Sequence, residues 1–346
     1  MDEPEILCER HGAAGCITLN RPRALNALTH GMVRAIRGAL DAWAAEPEVT
    51  RVVLTGAGEK AFCAGGDIRR LYELGQVGAF DEALAFWREE YELNIGIKRY
   101  PKPYVSLIDG IVMGGGVGVS LHGAHRVAGG RYAFAMPEVG IGFFPDVGAT
   151  YALPRLPGAT GTYIALTGSR IGQADAVELG LATHAVPSER MADLREALVA
   201  GEPVDAALAR HAADPGLGPL RAHRPLVDAA FSAPSVGEIL ARLDADGSDF
   251  ALKAAAAIRA KSPTSLCVAL EQMRRGAGLD FEEAMRVEFR VVSRLCRGHD
   301  FAEGVRAAII DKDGAPRWRP ARLDEVDPGE IERHFEALGP LELGAA

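Results

Sequence analysis

Apolar positions along the chain follow two spacings. Short β-prone runs at residues 6–10 and 16–20 flank His11-Gly12-Ala13-Ala14-Gly15, which predicts a hairpin. Met32, Val33, Ile36, Leu40 and Trp43 then recur at helical spacing, with Thr29 placed as an N-cap and Pro47 as a stop. Beyond Pro47 one arrangement appears three times: an apolar run, a glycine-rich turn, and a segment able to begin a helix. The runs are residues 52–55, 104–108 and 132–135. They precede Ala64-Gly65-Gly66-Asp67, Met113-Gly114-Gly115-Gly116 and Pro137-Glu138-Val139-Gly140. A long helix is expected over residues 81–98, ended by Pro101 and Pro103. Further helices are expected over 159–166 and 173–179, and a short strand over 182–186. After Pro187 the composition shifts to Ala, Arg, Asp and Glu with helical periodicity, clearest at 250–260 and 281–295. The pattern predicts a stacked α/β core over residues 1–190 and a mostly helical region over 191–346.

Composition narrows the function classes. With 48% hydrophobic and 25% charged residues in 346, the chain has the balance of a globular protein. Its net charge of −9 and the absence of a basic run argue against a nucleic-acid or membrane-surface partner. Five cysteines without a C-x-x-C pair suggest neither a disulfide framework nor a zinc knuckle, and fit a reducing compartment. The acidic Met1-Asp2-Glu3 start and the lack of an 18-residue apolar run lead to the expectation of a cytoplasmic chain, or one already trimmed. Glycine is unusual at 40 of 346, about 12% against roughly 7% in ordinary proteins, and most of the excess lies between Gly56 and Gly180.

Those glycines mark the candidate chemistry. Met113-Gly114-Gly115-Gly116-Val117-Gly118 sits where a strand gives way to a helix, so first-turn N–H groups are free to meet a ligand. Phe62-Cys63-Ala64-Gly65-Gly66-Asp67-Ile68 is a second turn of the same kind. Two such turns can aim two N–H groups at one carbonyl oxygen, the arrangement acyl transfer requires; close helix packing is the plain alternative. Glu138 and, eight residues later, Asp146 are acidic groups inside apolar, glycine-rich stretches. A carboxylate there is costly unless it is paired or used, so the two suit base or nucleophile work and the orientation of water or substrate. An N-cap and an ion pair would equally explain them. Gly56-Ala57-Gly58-Glu59-Lys60-Ala61 imitates a dinucleotide fingerprint, but Gly65-Gly66 interrupts the helix it must open. His122 and His125 lack a third ligand, Ser120 lacks the last glycine of a nucleophile elbow, and Cys63 has no neighbouring histidine.

The constellation resembles the crotonase (enoyl-CoA hydratase/isomerase) superfamily. Asn20-Arg21-Pro22 with Leu25-Asn26-Ala27-Leu28, Lys60 through Ile68, and Arg88-Glu89-Glu90-Tyr91 narrow the likeness to its 3-hydroxyisobutyryl-CoA hydrolase branch. So do Met136-Pro137-Glu138 with Phe144-Pro145-Asp146, and Arg297-Gly298-His299-Asp300-Phe301 running on to Ile310-Asp311-Lys312-Asp313. The resemblance spans nearly the whole chain. It implies a β/α spiral core followed by helices, an acyl-CoA thioester substrate cleaved by water in valine breakdown, and no cofactor beyond the CoA of the substrate itself. It carries oxyanion donors onto the N–H groups of Ala64 and Gly115 and the catalytic carboxylates onto Glu138 and Asp146. Glu90 would line the acyl pocket, with Gly65, Gly66, Asp67 and Gly114 also on the substrate. Hydratases of this kind use a second glutamate where this chain has Gly118, and carry glycine where it has Asp146. A hydratase or isomerase using Glu138 alone, or a catalytically silent binding protein, are the alternatives. Asp109 and Ala149 depart from the branch's pattern. The resemblance also implies a homo-oligomer of trimeric type unless the helical region obstructs it, and a mitochondrial matrix location for a mature eukaryotic chain.

Overall fold

The computed structural model describes residues 4–344. They divide into two compact units. One comprises the chain up to Asp67, Glu92–Phe134 and Arg170–Pro219; the other comprises Ile68–Tyr91, Ala135–Ser169 and the chain from Leu220 onward. The expected boundary at residue 190 is therefore replaced by an interleaved division. The reason lies in the helices after Pro187. Met191–Val199 and Val204–His211 bury Leu194, Leu198 and Leu208 against Val53, Val105 and Val127 of the sheet, so they belong to the first unit.

The first unit is built on two sheets. The larger contains β1 (Ile6–His11), β2 (Ala14–Leu19), β3 (Arg51–Gly56), β5 (Tyr104–Ile108), β7 (His125–Ala128) and β10 (His184–Ala185), side by side in that order. The expected hairpin is present, β1 and β2 pairing antiparallel with Ile6 opposite Leu19. From β2 onward every pairing is parallel. Parallel strands buried on both faces read as continuous apolar runs, which is why Val52-Val53-Leu54 and Tyr104 through Ile108 stood out. The second sheet is β4 (Ala61–Cys63), β6 (Ile111–Met113), β8 (Ala133–Ala135) and β9 (Ile171–Gly172). Its strands have two or three residues, too short for the sequence pattern to reveal most of them. The His30–Ala45 helix buries the five periodic residues that announced it, and Thr29 Oγ1 accepts from Met32 N–H at 3.3 Å.

In the second unit the Phe80–Lys98 helix begins, and the Glu138–Ile141, Ala149–Ala152 and Thr160–Thr167 helices follow. The third strand-to-turn repeat thus opens a single 3₁₀ turn rather than an α-helix. Its cap, Gly142, has φ 68°, and a Cβ there would lie 2.0 Å from the Asp300 carbonyl oxygen. Only glycine lets the His299–Val305 helix lie flush on this turn. From Leu220 the chain is helices joined by loops, the longest loop being residues 311–322, with no strand among the described residues; its longest helices are Pro263–Gly276 and Phe281–Leu295. Asp280 caps the latter in a capping box with Glu283.

Candidate active site

Within the first unit the two glycine turns meet. A Cβ placed on Gly116 would lie 2.4 Å from the Cys63 carbonyl oxygen, so the start of the Gly115–Leu121 helix rests directly on the end of β4. Gly65 (φ 122°) faces Met113 and Gly114 (φ 45°) across the same contact. The juxtaposition expected from the two motifs is present.

The backbone N–H groups of these turns that lack an acceptor among the described residues narrow the candidate donors. Gly115 is the first residue of its helix, where an N–H has no intrahelical acceptor; Val117 and Gly118 both donate to the Gly114 carbonyl, at 2.7 and 3.1 Å. Ala64, the expected second donor, is committed elsewhere: its N–H donates to the Leu25 carbonyl at 3.0 Å. Leu28 N–H donates to Gly65 O at 2.8 Å and Asp67 N–H to Leu28 O at 2.9 Å, and the Gly66 N–H between them has no acceptor among the described residues. The Gly65 N–H has no backbone acceptor among the described residues either, but Gly65 turns its carbonyl toward Leu28, so Gly66 is the candidate donor that faces away from that pairing. Alternate N–H groups of an extended segment point in opposite directions, so which glycine is free depends on which one pairs with Leu28, and no sequence signal gives that.

Several other predicted residues have structural partners. Asp67 accepts from Arg21 Nη2 at 3.1 Å. Asn26, fully buried, accepts from Arg21 N–H and donates to the Ala57 and Ala61 carbonyls at 2.8 and 2.9 Å. The Asn20-to-Leu28 motif is accordingly a brace for the first glycine turn. Asp109 accepts from Arg131 N–H and Ser188 Oγ, a fold contact that accounts for one departure from the family pattern. Ser120 Oγ donates back to the Gly116 carbonyl at 2.7 Å inside its helix, which removes it as a nucleophile.

The second unit holds the carboxylates. Glu90, Glu138, Asp146 and Glu288 are all buried, and Tyr91 OH donates to Asp146 Oδ2 at 2.9 Å. Burial drives the Glu138 carboxyl well above the usual carboxylate range, and the charge of Asp146 adds to it. Asp146 is pushed up to about 7 by burial, with the Tyr91 hydroxyl pulling the other way. Glu90 is raised by burial and then by Asp146 and Glu288. Glu138 Oε2 and Glu90 Oε1 have no hydrogen-bond partner among the described residues. Neither the N-cap expected of Asp146 nor the ion pair expected of Glu138 is found among the described residues: the Ala149–Ala152 helix is entered from Gly148 without a side-chain cap, Asp146 meets a phenol, and Glu138 Oε2 has no partner. Unpaired, strongly perturbed acids in one cluster have the character of groups kept for chemistry.

Sequence reasoning missed Tyr91 and Glu288 as members of this cluster. Tyr91 ends the Arg88-to-Tyr91 motif, which by itself gives it no role, and Glu288 is hidden in an amphipathic helix, where a polar residue on the buried stripe is the only signal. The C-terminal motif also acquires a physical reading. Asp300 accepts from Ser262 Oγ and Arg319 N–H, and Arg306 is held by Glu303, Asp311 and Asp313. These ties fix the helix that lies on the Glu138 turn.

The chain belongs to the enoyl-CoA hydratase/isomerase (crotonase) family, whose pattern matches residues 14–335. It is 45% identical over 349 residues to the mitochondrial 3-hydroxyisobutyryl-CoA hydrolase of Homo sapiens, covering 98% of this chain and 90% of that protein. The corresponding protein of Danio rerio is 46% identical over 349 residues, covering 98% and 91%. Among solved structures, a carnitinyl-CoA dehydratase from Mycobacterium thermoresistibile matches at TM-score 0.95 and 45% identity over 99% of both chains. An enoyl-CoA hydratase from Rhodobacter sphaeroides matches at TM-score 0.93 and 42% identity over 98% of this chain and 99% of that one.

Proposed function

We propose that this protein hydrolyses an acyl-CoA thioester, 3-hydroxyisobutyryl-CoA, releasing 3-hydroxyisobutyrate and CoA, as a step of valine breakdown. The observation that carries this reading is Glu138: buried, with Oε2 unpaired, beside a second buried carboxylate, Asp146. In the reaction we infer, the N–H groups of Gly66 and Gly115 hold the thioester oxygen as it becomes an oxyanion. Glu138 either attacks the carbonyl carbon, expelling CoA thiolate and leaving an anhydride for water to cleave, or takes a proton from the attacking water. Asp146 holds that water or the substrate hydroxyl, and Glu90 faces the acyl group. No cofactor other than the substrate's own CoA takes part.

Hydration is the second reading, because two similar solved structures are those of a carnitinyl-CoA dehydratase and an enoyl-CoA hydratase. Against it stands Gly118, which supplies no second carboxylate to share the work of adding water across a double bond. The free cysteines support a reducing compartment, the cytoplasm or, for a mature eukaryotic chain, the mitochondrial matrix; the mitochondrial relatives favour the latter. No helix among the described residues is long and apolar enough to cross a membrane. Thiol release from a panel of short acyl-CoA esters, run beside hydration of crotonyl-CoA, tests the reading. Hydrolysis of 3-hydroxyisobutyryl-CoA above the rest of the panel supports it; hydration outrunning every hydrolysis defeats it.

A further inference from the structure

Asp146 stands at the head of a turn that is awkward for its sequence. The Asp146 carbonyl accepts from Ala149 N–H at 3.0 Å, and the two residues between them both have positive φ, Val147 at 53° and Gly148 at 92°. Glycine adopts that conformation freely; a β-branched valine is held there against its preference, at a cost on the order of 1–3 kcal/mol. Strain of this kind persists only where the surroundings over-determine it.

The restraint comes from Glu288. This residue lies in the middle of the Phe281–Leu295 helix and is fully buried. Its Oε2 accepts from Gly148 N–H and its Oε1 from Thr150 N–H, both at 2.8 Å. Gln272, also fully buried, donates to Thr150 Oγ1 at 2.7 Å and to the Pro145 carbonyl, so the turn is gripped on both sides of Asp146. A carboxylate in this place is expensive: burial and the charge of Asp146 push it up to about 8, while the two N–H donors pull it down. An uncharged side chain would fill the space at less cost, so the two bonds must return something.

We propose that Glu288 is a positioning residue: by bonding Gly148 and Thr150 N–H it locks Val147 left-handed and thereby fixes the direction of the Asp146 carboxylate. The inference depends on Asp146 working on water or the substrate hydroxyl, as proposed above. Glu288→Gln keeps the size of the side chain, but its amide group turns an N–H toward an N–H and loses one of the two bonds.

The test is a double-mutant cycle on thiol release, with Glu288→Gln, Asp146→Asn and the pair. Positioning predicts that Glu288→Gln lowers kcat by ~100-fold with KM within ~3-fold, because a misdirected group costs rate rather than affinity. It further predicts that the same change has almost no effect once Asp146 is Asn. Glu288→Asp, which keeps the charge but reaches only one N–H, falls between. A folded Glu288→Gln enzyme with wild-type kcat overturns the proposal. So does an equal loss in the Asp146→Asn background, or failure of both Glu288 variants to fold, since either makes Glu288 a residue of the fold alone. A second readout needs no turnover: the ¹³C carboxyl resonance of Asp146, assigned by its loss in Asp146→Asn, should move in Glu288→Gln. If wild type releases no thiol, the hydrolase reading fails; the Glu288 proposal fails only if that resonance stays in place.

Discussion

Tyr91 donates its phenolic hydrogen to Oδ2 of Asp146 across 2.9 Å, and both side chains are buried. The bond favours the ionised carboxylate in a place where burial opposes it. Tyr91→Phe removes that support, so Asp146 should hold its proton to higher pH. If the reaction needs Asp146 ionised, the acid limb of kcat lies near pH about 7 in the wild type, not near the ordinary 3.8. In Tyr91→Phe it moves upward by ~1 pH unit, making the loss greater at pH ~6 than at pH ~8. A pH–rate profile of thiol release checks this; an unmoved limb would mean that Asp146 does not govern it.

The raised carboxyl of Asp146 also bears on stability. An acid whose folded pKa exceeds its unfolded value weakens the fold once it ionises. The cost is absent below about 3.8, grows as pH rises and is complete above about 7. Asp146→Asn keeps an acceptor for Tyr91 and removes the charge. It should therefore be more stable than wild type at pH ~8, by on the order of 3 kcal/mol, with the advantage fading toward pH ~4. Thermal unfolding at the two pH values reads the difference; a destabilised Asn variant at pH ~8 would contradict the account.

Gly115 occupies the first position of its helix, where proline is tolerated and its only chemical loss is the N–H. Gly115→Pro should fold and lower kcat by ~10²–10³, the cost of one oxyanion donor. Circular dichroism must accompany the assay. Near-normal turnover in a folded variant would reduce this glycine to a packing role.

Gly116 has such a packing role. A methyl group there meets the Cys63 carbonyl at 2.4 Å, backbone against which nothing flexible can yield, whereas one at Gly278 meets nothing within 4 Å. Gly116→Ala should lower stability by at least ~1–3 kcal/mol, and Gly278→Ala should not. Equal melting temperatures for the two variants would rule out the tight contact between the turns.

Much of this architecture was legible in the chain. The runs around Val53 and Val105 are buried on both faces and could be read as parallel strands, and the Met32-to-Trp43 spacing gave its helix nearly to the residue. Glu138 and Asp146 could be singled out because a charge in an apolar stretch has few structural explanations. What could not be read depends on contacts between distant segments. Ala64 and Gly66 differ in that the Ala64 N–H pairs across to Leu25 and the Gly66 N–H pairs with nothing among the described residues. Glu288 looks like any acid on an amphipathic helix until its neighbours, Gly148 and Thr150, are in place. The boundary near residue 190 failed for the same reason, since composition changes there but the next two helices still pack on the sheet.

The most direct test compares thiol release from 3-hydroxyisobutyryl-CoA by wild type and Glu138→Gln, with binding of the ester measured alongside. Gln preserves shape but offers neither a nucleophile nor a base. The account predicts repeated turnover by the wild type, and a Gln variant that binds the ester within ~3-fold yet releases thiol at least ~10³ times more slowly. A Glu138→Gln protein that still turns over at a comparable rate would contradict it.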